Sequence, residues 1–193
     1  PVQPWGKVNP GDIRYEDVTG DGKFSSDDFV PIGYPSAIPR IYYGFSPRIS
    51  YKNFSLDVLF QGAAKSNFYI REIDWAFFNQ RSAFDSHFDY WTPDNRDASY
   101  PRITSAPTPN NTQTSSFWMK NTSYMRLKNA TLSYTLGNLI ASKLKINQGT
   151  IYISGQNLLT WSHLINFDPE NMNSAGLGYP QMRKFSVGIN MTF

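Results

Sequence analysis

Five stretches of the chain place apolar and polar side chains alternately, and the segments joining them switch between short and long. In the first, Ile41, Tyr43, Phe45, Ile49 and Tyr51 fall on one face, with Tyr42, Gly44, Ser46, Arg48 and Ser50 on the other. A period of two is the signature of a strand with one apolar side. Pro47 lacks an amide hydrogen, which predicts a bulge or a locally open pair within that strand. Lys52-Asn53 is short enough for a tight turn into Phe54–Gly62, where Phe54, Leu56, Val58 and Phe60 oppose Ser55, Asp57, Leu59 and Gln61. An antiparallel hairpin follows.

Phe117–Leu136 is a further long strand, clearest at Ala130, Leu132, Tyr134 and Leu136. One helical turn is expected at Leu139–Leu144, in the short connection Gly137–Gln148. Gly149–Thr160 and Arg183–Phe193 complete the set, the last with Phe185, Val187, Ile189, Met191 and Phe193 in register. Residues 1–40, 65–116 and 161–180 show no lasting period and read as long loops. Residues 70–90 hold enough aromatic side chains for a helix or two. A loop of such length is uncommon unless it has a function.

Two features separate a membrane barrel from a soluble sandwich here. The polar faces are small and neutral, as suits a wet pore wall. Threading the strands also puts every long segment at one end and every short turn at the other, the arrangement of outer-membrane barrels. Tyr43 and Phe185 then lie near one interface and Tyr51, Tyr134 and Phe193 near the other, as an aromatic girdle would. The expected fold is all-β, a transmembrane antiparallel β-barrel of which this chain supplies five or so strands. Five strands close no conducting barrel, and an open sheet in lipid leaves edge amides unsatisfied, so the sheet must pair with further sequence. The alternative is a secreted, calcium-stabilised carbohydrate-binding β-sandwich module.

Composition agrees with the barrel. Aromatic residues reach 16% and charged residues only 17%, against roughly 25% charged in soluble domains. The net charge of +3, without a basic run, excludes a nucleic-acid partner. Cysteine is absent, which removes disulfides and thiol chemistry. Pro1-Val2-Gln3-Pro4 has neither a starting Met nor a signal-like apolar run, so the expectation is a stretch from within a longer protein.

Asp17-Val18-Thr19-Gly20-Asp21-Gly22-Lys23-Phe24-Ser25-Ser26-Asp27-Asp28 fits the twelve-residue EF-hand grid. Asp17, Thr19 and Asp21 stand at positions 1, 3 and 5, and Gly22 takes the sharp turn at 6. Lys23 offers its carbonyl at 7, Ser25 acts at 9, and Asp28 closes the loop at 12. Oxygen ligands at this spacing suit a structural Ca²⁺. Trp75, Phe78, Tyr90 and Trp91 could stack on sugar rings or on a partner protein, or could form the core of their own loop. His87 and His163 are far apart and are expected at the surface. No hydrolase, phosphate-loop or dinucleotide motif occurs, so no enzyme is expected, and a calcium-dependent hydrolase is the weakest alternative.

Several tags along the chain resemble the SusC/RagA group of TonB-dependent transporters. They are Pro10-Gly11-Asp12-Ile13-Arg14-Tyr15 with the Asp17–Lys23 run; Ser50-Tyr51-Lys52-Asn53-Phe54; Phe60-Gln61-Gly62; Tyr124-Met125-Arg126-Leu127-Lys128-Asn129; Ser154-Gly155-Gln156-Asn157-Leu158; Asp168-Pro169-Glu170; Tyr179-Pro180; and Phe193. Pro47 in a strand and Thr19 in the calcium-like loop depart from the family pattern. The resemblance implies the last strands of a 22-stranded barrel in the outer membrane, with Phe193 as a C-terminal barrel-assembly signal. It implies the rest of the barrel and a plug, with the TonB-contacting region upstream. It also implies a SusD-like surface lipoprotein, membrane lipid around the strands, and oligosaccharide or peptide cargo.

Overall fold

A computed structural model of the chain describes residues 3–34, 38–69, 84–105, 108–171 and 178–193. Its strands are β1 (Ile41–Phe45), β2 (Arg48–Tyr51), β3 (Phe54–Ala64), β4 (Asn67–Tyr69), β5 (Met119–Asn121), β6 (Tyr124–Thr135), β7 (Gln148–Ser162) and β8 (Lys184–Thr192), with one short helix, α1 (Asn138–Lys143). The main sheet is antiparallel in the order β1-β3-β6-β7-β8, and β2 continues the β1 edge along β3. β4 and β5 pair as a small separate ribbon.

The expected strands are therefore present, and the alternation decides which face each residue takes. One row runs across the sheet as Ile49, Leu56, Leu132, Ile153 and Val187, each directly opposite the next. The neighbouring row, on the other face, is Arg48, Asp57, Thr131, Ser154 and Ser186. Pro47 opens the ladder between β1 and β2 without shifting it: Phe45 pairs with Phe60 and Arg48 with Asp57 in one continuous register. The carbonyl of Pro47 still accepts the Val58 amide at 3.1 Å. The bulges lie elsewhere, between Leu59 and Phe60 and between Leu127 and Asn129.

Among the described residues nothing covers the apolar face. Phe185 is 74% exposed and Val187 75% exposed. A sandwich would bury them under a second sheet, so that alternative finds no support.

Most of what is buried sits at the long-loop end, and much of it is polar. Trp118, His87, Asn110, Asn111, Thr122 and Ser66 are all buried there. His87 corrects the expectation of a surface role. It lies inside a 3-10 turn at Asp85–Phe88, where its Nδ1 accepts the Phe84 amide at 3.1 Å and its ring meets Phe84 and Tyr100 edge-on. His163 is exposed, as expected. Residues 70–83, where helices were expected, fall outside the described residues apart from the 3-10 turn that follows them. The ribbon β4–β5 was not foreseen, because three-residue strands are too short to show a period.

The Pro10–Tyr15 segment anchors the N-terminal stretch to this buried cluster. The Ile13 amide donates to Asn111 Oδ1 at 2.8 Å, and Asn110 Nδ2 donates to the Ile13 carbonyl at 2.6 Å. Asp12 accepts from Arg102 Nε at 2.7 Å and from Asn111 Nδ2 at 2.9 Å. Gly11 has φ +87°, and Trp91 lies so close that a Cβ there would come within 2.4 Å of the indole. Burial pushes the Tyr15 phenol up to about 12, and its hydroxyl donates to the Asn110 carbonyl at 2.7 Å.

Asp12→Ala would leave Arg102 and Asn111 without their acceptor in a largely enclosed site. The expected cost is about 3 kcal/mol, read as faster proteolysis between residues 3 and 34 with the sheet itself intact.

Candidate functional site

The polar face of the main sheet is mostly hydroxyl and amide, with one concentration of charge. Tyr124, Arg126 and Lys128 project from β6 where the other strands carry small neutral groups. The loop after β7 folds back over them and inserts Asp168-Pro169-Glu170. Arg126 Nη2 meets Asp168 at 2.9 Å, and Nη1 meets Glu170 at 2.8 Å. Arg126 Nε donates to Thr160 Oγ1 at 2.9 Å, which fixes the plane of the guanidinium. Lys128 Nζ lies 2.7 Å from the same Glu170 oxygen, and the Tyr124 hydroxyl donates to the other at 3.1 Å.

Burial makes this latch strong or costly depending on whether every group is paired. The Arg126 side chain is 3% exposed and that of Asp168 4%, and the described contacts satisfy both. Burial would raise the Asp168 carboxyl, but amide donors from Gln181 and Glu170, together with Arg126, outweigh it and hold it below the ordinary carboxylate range. By contrast, Arg48 and Asp57 pair at 2.9 Å with 70% and 39% side-chain exposure, and such a pair contributes about 1 kcal/mol or less. The latch walls a polar cavity between Tyr42, Gln61, Ser66, Thr122, Tyr124 and Lys128.

The latch was not foreseen as a unit, although both of its halves were singled out as tags. The available signal was two cations two residues apart in one strand and the acid pair at Asp168 and Glu170. Strict alternation sets Arg126 and Lys128 in line with Ala130 and Leu132, and the irregularity between Leu127 and Asn129 turns them to the polar face.

The Asp17–Asp28 loop closes on its own backbone. Asp17 accepts the Gly20 amide at 2.7 Å and the Gly22 amide at 2.8 Å, and Asp21 accepts the Lys23 amide at 2.8 Å. Asp28 accepts from Thr19 and Ser25 through its two oxygens, at 3.0 and 2.8 Å. Those amides, Ser25 first, hold its carboxyl below the ordinary range. Gly22 has φ +82°, as the sixth position of the grid requires. Donors of this kind, all oxygen, fit a hard cation. Among the described residues no three acidic or histidine side chains gather as a metal group. Asp17 and Asp28 approach each other through Thr19, whose hydroxyl lies 3.2 and 3.1 Å from them, while Asp21 bonds only its own turn.

Trp91 packs on Gly11, and its amide donates to the Tyr100 carbonyl at 3.0 Å. Tyr90 bridges to Tyr100. Both are half-buried, so they hold their loop together. Trp75 and Phe78 lie outside the described residues. Phe193 follows β8 and is 82% exposed.

No protein-family model matches the chain. It is 32% identical to TonB-dependent receptor P26 of Formosa agariphila over 95% of its own length and 20% of that protein. It is 29% identical to TonB-dependent receptor P3 of the same organism over 97% of its length, again covering 20% of the relative. The chain thus spans about a fifth of the length of the curated relatives it matches. Among solved structures it resembles the RagAB peptide transporter (TM-score 0.64, 28% identity, 82% of this chain and 18% of that one). It also resembles the RagAB peptide importer in its "closed-closed" state (TM-score 0.66, 27% identity, 89% and 19%).

Arg126→Met should leave the buried Asp168 carboxylate without its cation, Glu170 keeping Lys128 and Tyr124, at a cost of about 3 kcal/mol. Asp168 has a lower pKa folded than unfolded, so its contribution is complete above the ordinary value of 3.8 and is lost as pH falls through the folded value. Pepsin cleavage within residues 163–171 should therefore stay slow down to about pH 4 and accelerate below it. In the Met variant it should be fast throughout.

Proposed function

We propose that this chain, which belongs to the SusC/RagA group of TonB-dependent transporters, forms part of the wall of an outer-membrane importer. The supporting observation is the uncovered row Ile49, Leu56, Leu132, Ile153 and Val187, backed on the opposite face by a charged and hydroxylic row. The apolar row faces lipid and the polar row faces the lumen. The open edges at β1–β2 and β8 pair with other strands of the barrel. The long segments face outward, where a SusD-like lipoprotein closes over them, and TonB acts through the plug of the whole protein. The cargo is an oligosaccharide or a peptide, and the structural neighbours described as peptide importers favour the latter. The latch keeps the loop at 163–171 against the lumen wall, so that it narrows the passage on one side.

A Ca²⁺ ion in the Asp17–Asp28 loop is part of this reading. Asp17, Thr19, Asp21, the Lys23 carbonyl, Ser25 and Asp28 would hold it, and it would pin an outward-facing loop.

In the complete receptor, Ile153→Arg should cost about 2–4 kcal/mol in a bilayer, whereas Ser154→Arg on the other face should cost little. Urea unfolding in vesicles measures both. Equal effects would overturn the lipid assignment, as would a soluble, detergent-free monomer of residues 38–193. Mass spectrometry of ligand carried through purification of the complete complex would identify the cargo, and a complex without any would count against import.

For the ion, calcium should protect residues 17–28 from proteolysis relative to EDTA, and Asp21→Ala should abolish the difference. Equal cleavage with and without calcium would reject it.

A further inference from the structure

The end of the sheet that carries the short turns differs chemically from the rest of the chain. The turn between β2 and β3 and the connection between β6 and β7 contribute Lys52, Lys143 and Lys145 and no acidic residue. Among the described residues, Asp57 is the only acidic residue in a strand, and the other described acids belong to the long segments. None of the three lysines pairs with an acid among the described residues. The two connections are adjacent: the Thr135 amide donates to the Asn53 carbonyl at 2.8 Å.

Helix α1 adds an apolar surface to this rim. Ala141 and the following Ile146 are buried, while Leu139, Ile140 and Leu144 are exposed, Leu139 by 82%. A short helix usually turns such residues inward. Its base shows which side it serves. Leu136 and Ile146 close over Gly149, which pairs with Met191 on the apolar face of the sheet. The exposed Leu139, Ile140 and Leu144 thus extend the apolar band past the last strand residues, and on the adjoining turn Lys52 Nζ lies 5.3 Å from the centroid of the Tyr51 ring. Leucine beside lysine at the margin of an apolar belt is the composition of a surface seated at a lipid interface.

We propose that this rim is a membrane-interface anchor that binds phospholipid headgroups of the leaflet it faces. Leu139, Ile140 and Leu144 enter the boundary between headgroup and acyl chain, and Lys52, Lys143 and Lys145 contact the phosphates. This rests on the lipid-facing reading of the sheet.

The test uses the complete receptor in vesicles of phosphatidylcholine with or without phosphatidylglycerol. A fluorophore is attached through a single cysteine at Leu139 in one sample and at Val187 in another. Lipid brominated in mid-chain should quench the probe at Val187. Lipid spin-labelled at the headgroup should quench the probe at Leu139. Competition between brominated phosphatidylglycerol and brominated phosphatidylcholine should show a preference for the anionic lipid at Leu139. That preference should fall by about fivefold per lysine removed in Lys143→Gln with Lys145→Asn, asparagine being chosen because Lys145 has φ +56°. Quenching at Val187 without quenching at Leu139 would overturn the anchor and leave the barrel reading standing. Quenching at Leu139 without an anionic preference, or with one unchanged in the lysine variant, would also overturn it. Silence at both positions would overturn the lipid-facing reading itself.

Discussion

An antiparallel sheet with one apolar face and two open edges cannot rest as such in water. Every feature of this chain follows from that constraint. The face from Ile49 to Val187 is continuous and, among the described residues, uncovered, so it calls for an apolar partner. The unpaired edges carry the same demand in hydrogen bonds, because each orphaned amide in an apolar medium costs several kcal/mol. Closure with more strands in lipid meets both demands together.

The same constraint accounts for the polarity of the buried residues. A soluble domain collects Leu, Ile and Val at its centre. Here those residues lie on the outside of the sheet, and the enclosed space at the loop end is filled with Asn110, Asn111, Thr122, Asp12 and Arg102. Directional hydrogen bonds replace apolar packing as the means of holding the loops. The Arg126 latch follows the same rule on the polar face, where two cations and two acids fix a loop against the wall.

The strands were legible because β3, β6, β7 and β8 each run for nine residues or more. Only extended backbone turns successive side chains to opposite faces over such a length. Their faces, including the role of Pro47 as an interruption, followed from the same pattern. The loop architecture was much less legible. His87 looked like a surface residue because its partners Phe84, Tyr100 and the backbone are set by the fold and leave no local signature. Arg126 and Glu170 are 44 residues apart, and nothing in either neighbourhood names the other. Pro10–Tyr15 was recognisable only as a family tag, and its meaning became clear once Asp12 and Ile13 were seen against Arg102 and Asn111. The calcium-like loop is the opposite case: its spacing and its glycine turn were both legible, because the hydrogen bonds of its acids stay within the loop.

The bond from Ile13 to Asn111 spans 98 residues. Between its ends lie the whole β1–β3 hairpin and the long excursion that follows. Closing a loop of that size gains nothing until the intervening hairpin has brought the ends together, so entropy places this contact late in folding. The hairpin and its lid therefore cannot mature independently. The segments at the long-loop end would then take their shape after the strands beneath them.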